Sequence, residues 1–336
     1  MIDRTVPAYL ARLIADAART AGIPQAEIDR TLGAVPLDTA DPRIRIPTAT
    51  LHHLWDTAVH ALQPLGGGVR VSSRWERGML RTGDYLVSSS DTLASGFVAL
   101  SANFAAVTSP ESRLEVSSED GALSVAYLGP EPSELEQIIG EFALGLVIQQ
   151  ARAALHRDIA PRQVLLPGRA PRHYDHLRRF FGTDAIDFGA DHARVLIDER
   201  DARAALPGSD PALHAIVTDH AATLITAARP VLGWLDKVYA EIEAIFDDGS
   251  SPDLNRVAAR LAMSPRSLQR RLAEEQISWR EMVERARQER ATRLLRDASL
   301  TLESIAARVG YSDVRALRRA FHRWYGTSPA ELRRTG

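Results

Sequence analysis

With 336 residues, 45% apolar and 25% charged, the chain has the composition of a globular protein with room for two or three domains, and it has no cysteine from which to build a disulfide, a thiolate metal site or a cysteine nucleophile. The formal charge of −2 hides a division: residues 251–336 carry 18 Arg and no Lys against 10 Asp and Glu, a net +8, and the rest carry 23 basic against 33 acidic side chains, a net −10. A basic tail on an acidic body fits a nucleic-acid-binding domain joined to one of another kind, and equally a chance segregation of solvated charges.

The opening MIDRTVPAYL sets an acid and a base where a signal peptide needs an apolar stretch, so the expected location is the cytoplasm. The first 65 residues read as helices: Val6–Thr20 carries an apolar stripe, Gly22-Ile23-Pro24 breaks it, and Pro47 opens a helical stretch through Leu62. Gly66-Gly67-Gly68 reads as a loop and not as a phosphate cradle, since no GK[ST] follows. Asp91 is the expected cap of a helix over Thr92–Val107. Within it Phe97–Val107 comes nearest to a membrane span, but it falls short of the roughly 18 residues required and is interrupted by Ser101 and Asn103. Arg113–Ser118 and Ala122–Leu128 alternate apolar and polar residues across Glu119-Asp120-Gly121, a hairpin signal. Ser133–Leu155 returns to helical period. Val164–Leu166, Ala185–Phe188 and Val195–Ile197 are short strand candidates, with a helix over Pro171–Phe181 between the first two, and Pro211–Ala228 is a long helix. The predicted organisation is an α+β domain over 1–228, a connecting helix and linker over 229–252 that includes DDGSSPD, and an all-α domain over 253–336.

One motif occurs twice in the tail. LNRVAARLAMSPRSLQRRL begins at Leu254 and LESIAARVGYSDVRALRRAF at Leu302; the offset is 48 residues through the first helix and turn, and 49 in the second helix. Each copy has a short helix with apolar residues at i, i+3 and i+7 and a small residue, Ala258 or Ala306, where two helices approach closely. A turn follows, and then Ser264 or Ser312 as the expected cap of a second helix, with Pro265 at the first helical position of the first copy. At 100° per residue, Leu268 and Leu272 share one side of the first copy's second helix, and Arg266, Gln269 and Arg270 share the other. In the second copy Leu317, Phe321 and Trp324 oppose Arg315, Arg318, Arg319 and His322. Arg can pair with guanine O6 and N7, and Gln with adenine N6 and N7, in the major groove. Ser278–Asp297 reads as one helix of 20 residues, about 30 Å long and close to the roughly 34 Å between successive major-groove faces of one duplex flank.

These motifs resemble the AraC/XylS family of transcriptional regulators, whose double helix-turn-helix covers Asp253 to Arg333. AARLAMSPRSLQRRL, LESIAARVGYSD and RRAFHRWYGTSPAELR carry the resemblance, with Gly326 ending one helix and Ser328-Pro329 opening the last. The resemblance implies that Arg266, Ser267, Gln269, Arg270, Arg315, Arg318 and Arg319 contact DNA bases or backbone. Three positions depart from the family pattern: Gln276 replaces a turn glycine, Leu317 a common aromatic, and Arg315 a small polar residue. RIPTATLHHLWDTA, SSSDTLASGFVALSANFAAV and PRQVLLPGRAPRHYDHLRRFFGTDAIDF resemble the effector-binding or dimerisation domain of the branch labelled arabinose-binding-like. The family further implies double-stranded promoter DNA, RNA polymerase, a small-molecule effector and a second copy of the chain as partners, activation of transcription, no cofactor and no enzymatic activity.

Other candidates are weaker. His173-x2-His176 lacks a third metal ligand at a readable spacing, and His52-His53 point about 100° apart on a helix. Ser88-Ser89-Ser90 has no G-x-S-x-G around it. Phe97, Phe104, Trp75, Tyr85 and Phe142 line either an apolar effector pocket or the core. The alternative function is an enzyme or partner-binding protein that uses the tail only for DNA targeting; an alkyl-transfer repair protein would need a cysteine that this chain lacks.

Overall fold

The computed structural model describes residues 2, 4–33, 41–63, 66–129, 133–231, 233–275, 277–295, 297 and 299–335. The chain divides into two compact units, Met1–Val231 and Leu232–Gly336, each with its own cores.

The first unit is α+β. It opens with β1 (Thr5–Pro7), α1 (Ala8–Thr20), α2 (Gln25–Leu32), β2 (Ile44–Pro47) and α3 (Thr48–Leu62). Leu10, Leu13, Ile14 and Ala17 form the buried stripe of α1, and Leu51, Leu54, Trp55 and Ala58 that of α3. Helical periodicity conceals the two strands. They are three and four residues long and end on Pro7 and Pro47, which stand at the N-caps of α1 and α3.

Next come α4 (Gly67–Ser72), α5 (Thr82–Ser88), α6 (Leu93–Ala102) and α7 (Phe104–Val107). The triple glycine is a helix start rather than a loop. Gly66 stands left-handed at the N-cap of α4, and a Cβ on Gly68 would lie 2.2 Å from the Ile138 carbonyl oxygen, so only glycine permits this crossing. The helix expected over 92–107 is capped by Thr92 in a reciprocal box with Ser95, and it breaks at Asn103. Asp91 instead accepts a hydrogen bond from the Ser209 hydroxyl.

The hairpin forms as β3 (Arg113–Glu119) and β4 (Ala122–Leu128), with Glu119 opposite Ala122. Its two-residue loop puts Asp120 and Gly121 at φ +45° and +73°, the turn whose twist suits antiparallel strands. The unit continues with α8 (Glu134–Leu155), β5 (Gln163–Leu166), α9 (Asp175–Phe181), β6 (Ile186–Phe188), β7 (Ala193–Asp198), α10 (Glu199–Ala202), α11 (Pro211–Thr226) and β8 (Arg229–Pro230). The larger sheet has the order β3-β4-β7-β5-β6, in which only β5 and β6 pair in parallel. The smaller has the order β1-β2-β8.

Helix α8 sits between two cores. Leu144, Val147, Ile148 and Ala151 face the core against the larger sheet, and Ile138, Ile139, Phe142 and Leu146 face the helical core, where the Phe142 and Trp55 rings meet edge-on at 5.3 Å. Burial on two sides explains why this helix is apolar nearly all round. By length and composition it would suffice to cross a membrane, yet 72% of its most apolar 18-residue window is buried inside the protein.

The second unit is all-α: α12 (Trp234–Asp247), α13 (Leu254–Arg260), α14 (Pro265–Glu274), α15 (Trp279–Leu295), α16 (Leu302–Arg308), α17 (Val314–Tyr325) and α18 (Pro329–Thr335). Residues 229–252, expected as a connecting helix and linker, contain α12, which falls within the second compact unit, where Val238, Ile242, Ile245 and Phe246 bury it in the core of the first repeat.

Candidate nucleic-acid interface

Both repeats build the same tight turn. After α13, Ala262 and Met263 donate to the carbonyls of Ala259 and Ala258 at 3.1 and 2.8 Å; after α16, Gly310 and Tyr311 donate to those of Ala307 and Ala306 at 3.1 and 2.9 Å. This pair of bonds ends a helix on a left-handed residue. That residue is Gly310 at φ +73° in the second copy, whereas the first copy holds Ala262 at φ +53°.

The following helices are capped differently. Ser264 accepts the Ser267 N–H at 3.1 Å, and Pro265 occupies the first turn of α14, where no N–H is needed. In the second copy the cap is Asp313, which accepts the Ala316 N–H at 2.7 Å, and not Ser312 as expected. The one-residue insertion falls inside the turn, ahead of the cap, so Asp313 is the counterpart of Ser264. That N–H holds the Asp313 carboxyl below the usual carboxylate range.

Each of these helices buries one face. Leu268 and Leu272 are 0% and 1% exposed, as are Leu317 and Phe321 at 0% each, and burying such a side chain contributes about 2 kcal/mol. The opposite faces are open: Arg266, Gln269, Arg270, Arg315, Arg318, Arg319 and His322 are all exposed, and Ser267 is half-buried with its hydroxyl 2.9 Å from that of Ser264. Among the described residues, the guanidinium groups of Arg266, Arg315, Arg318 and Arg319 make no hydrogen bond or ion pair. Arg270 meets Glu274 at 3.6 Å with both side chains largely in solvent, a pair worth a few tenths of a kcal/mol. Two arginines on the same helices are tied back instead. Arg271 lies 4.5 Å over the Trp234 ring, and Arg323 pairs with Glu284.

Helix α15 joins the repeats. Its entry is a capping box, in which the Ser278 N–H donates to Glu281 and the Glu281 N–H to the Ser278 hydroxyl. Gln276, just before it, lies outside the described residues. Met282, Val283 and Ala286 belong to the first core, Ala291 and Leu295 to the second. The helix has 17 residues, about 25 Å. Arg290, 7% exposed, spans the junction. It pairs with Glu243 at 3.3 Å and Asp247 at 2.8 Å on α12, and its Nε donates to the Arg308 carbonyl at 3.0 Å. Arg287 similarly donates to the Val309 carbonyl at 3.2 Å. Both carbonyls close α16, so cationic side chains sit where the helix end is electron-rich. The arginine-rich composition of the tail hides these structural arginines among the exposed ones.

The remaining candidates disperse. Phe104 and Phe142 border a cavity, Phe97 is fully buried in the sheet-side core, and Tyr85 is 41% exposed. Trp75 donates to the buried Asp84 carboxylate at 3.1 Å alongside Gln150 and the Gly78 and Leu80 N–H groups; burial raises the pKa of that carboxyl. Ser89 and Ser90 give their hydroxyl hydrogens to the Tyr85 and Leu86 carbonyls and lie 3.2 and 3.3 Å from His214 Nδ1. His173 is exposed, and the His176 ring packs 3.5 Å from where a Cβ on Gly66 would stand.

A helix-turn-helix domain family matches residues 257–335, and the arabinose-binding domain of AraC transcription regulators matches residues 12–206, more than half of the chain. The chain belongs to the AraC family of transcription regulators. Among its relatives, an uncharacterised HTH-type transcriptional regulator of Mycobacterium tuberculosis is 44% identical over 90 residues, 27% of this chain and 26% of that protein. The HTH-type transcriptional regulator VirS of the same species is 30% identical over 164 residues, 46% of this chain and 47% of VirS. These alignments thus span a quarter to a half of the relatives' lengths. The crystal structure of the transcriptional regulator CdpR from Pseudomonas aeruginosa aligns over 97% of this chain and 98% of its own, at 18% identity and a TM-score of 0.43. As an AraC-family chain, this protein joins an α+β arabinose-binding-like domain to a helical domain with two helix-turn-helix motifs.

Proposed function

We propose that the second unit binds promoter DNA sequence-specifically, with α14 and α17 in successive major grooves on one flank of the duplex. Arg266, Ser267, Gln269 and Arg270 read or position one site, and Arg315, Arg318 and Arg319 the other. The observation that carries this reading is the set of exposed donors on each helix directly opposite a fully buried apolar pair, four of the five arginines making no hydrogen bond or ion pair among the described residues. The first unit senses a small molecule and pairs two chains, and the assembled regulator acts in the cytoplasm, activating transcription through contact with RNA polymerase. No catalytic step is involved.

Fluorescence anisotropy on the intergenic DNA beside the gene tests the interface. The net +8 of residues 251–336 predicts affinity that falls with salt at a log–log slope of several units, because each neutralised phosphate releases about 0.9 of a counterion. A flat salt response would contradict the assignment.

A further inference from the structure

The first unit encloses a cavity between α1, α3, α8 and the β3–β4 hairpin, with about 90 Å³ of room for the centres of water-sized groups. That is more room than one ordered water needs, so the space suits a small organic body. Its walls are apolar: Leu10, Leu51, Trp55, Phe104, Phe142 and Leu146. Polar side chains enter the lining from α3 (Thr48 and His52), from the 108–112 loop (Ser112), from β4 (Tyr127) and from α8 (Gln150, which donates to Asp84).

Most of these polar groups are already engaged. Tyr127 lies 3.2 Å from the Ser112 hydroxyl and donates to Glu136, and His52 stands 3.8 Å from the same carboxylate. Thr48 differs. Its hydroxyl oxygen is buried and has no hydrogen-bond partner among the described residues, a state that costs about 1–3 kcal/mol unless something fills it. Nearby, Arg45 is 2% exposed and bonds only to Thr5 and to the carbonyls of Ala105 and Thr108, with no carboxylate paired to it among the described residues. Burial lowers its pKa to about 10. It donates to the carbonyl of Thr108, a residue of the cavity lining.

We infer that this cavity is the effector site, and that its ligand is a compact hydrocarbon body carrying one small oxygen head group, a hydroxyl or a carboxyl, toward which the Thr48 side chain turns its buried hydroxyl to make the missing hydrogen bond. The inference rests on the sensory role proposed above for the first unit. A sugar would bring a hydroxyl on nearly every carbon against apolar walls, each costing several kcal/mol if unpaired. An α-amino acid would require a buried partner for its ammonium group as well as one for its carboxylate. Neither fits a pocket whose lining is mostly apolar and whose polar side chains are for the most part already engaged within the protein, despite the arabinose label of the matching family.

Thermal-shift and calorimetric titrations of the full-length protein test this, with octanol and octanoic acid below their micelle concentrations as probes and with arabinose and ornithine as controls. The C8 probes bind and raise the melting temperature of the first unit; arabinose and ornithine do not. Ala143→Phe, which places a ring in the cavity from α8, abolishes the shift. Thr48→Val weakens binding of the better C8 probe at least fivefold and does not lower the melting temperature of the free protein, because the deleted hydroxyl has no partner to lose. Stabilisation by arabinose or ornithine alone, or C8 binding that survives both substitutions, would overturn the inference. Anisotropy on promoter DNA separates the two levels: a response to arabinose would refute the ligand class and leave a sensory domain, whereas no DNA binding with or without any ligand would refute the regulator itself.

Discussion

The two helix-turn-helix motifs perform one local task with different parts. The first anchors its exposed helix with two leucines, caps it with Ser264, and holds Ala262 in the left-handed region. The second uses Leu317 and Phe321 with the half-buried Trp324, caps with Asp313, and has glycine at the left-handed position. Their tertiary support differs too. The first packs directly on α12, while the carbonyls that close the first helix of the second are held by Arg287 and Arg290 from α15. The duplication therefore conserves the turn and the outward face, and each copy is secured by whatever its surroundings supply.

Removing the junction should break the comparison most severely. Arg290→Met takes one of its cations from the mostly buried Glu243, which keeps Arg293 at 2.9 Å, and frees the Arg308 carbonyl. The second unit should lose about 2–4 kcal/mol in denaturant unfolding, with promoter affinity falling as the two motifs lose their fixed spacing. Trp324→Ala should cost about 2–3 kcal/mol. That is less than for a fully buried Trp, since this ring is only partly buried, with its Nε1 3.2 Å from Glu284 and its plane tilted 57° to that of Phe321; an unchanged melting midpoint would mean the ring is not an anchor.

The turn glycine sharpens the comparison at smaller scale. Gly310→Ala combines a left-handed backbone with a Cβ 3.2 Å from the Phe246 ring, for an expected loss of about 2 kcal/mol. The reverse change at the matching position, Ala262→Gly, relieves the same strain and should raise stability by about 0.5–1 kcal/mol. Equal and opposite results would show that the backbone alone decides; a larger penalty at Gly310 measures what the Phe246 contact adds.

The tail was legible because its signals are local. Apolar spacing, a small residue at the helix crossing and a capping residue lie within one motif, and the repeat supplies a second reading of each. The exception is the Ser312 cap, displaced to Asp313 because the insertion could sit on either side of it. Sequence could not separate Arg271 and Arg323 from Arg270 and Arg319. The difference lies in Trp234 and Glu284, more than 35 residues away in the chain. In the first unit the hairpin and α11 announce themselves through their turn and cap, but β1, β2 and β8 are two to four residues long, too short for any period to show. The cavity is assembled from six elements or more, and the aromatic residues that border it look no different in sequence from Phe97 in the core.

The central claim is that two exposed arginine faces read neighbouring grooves. Methylation interference at guanine N7 on the cognate promoter tests it directly, with wild type, Arg270→Ala and Arg319→Ala compared at low salt. Two clusters of sensitive guanines should lie about one helical turn apart on one flank, Arg270→Ala abolishing one and Arg319→Ala the other, each at a cost of about 1–3 kcal/mol in affinity. A single cluster, or a pattern and affinity that neither substitution changes, would contradict the account.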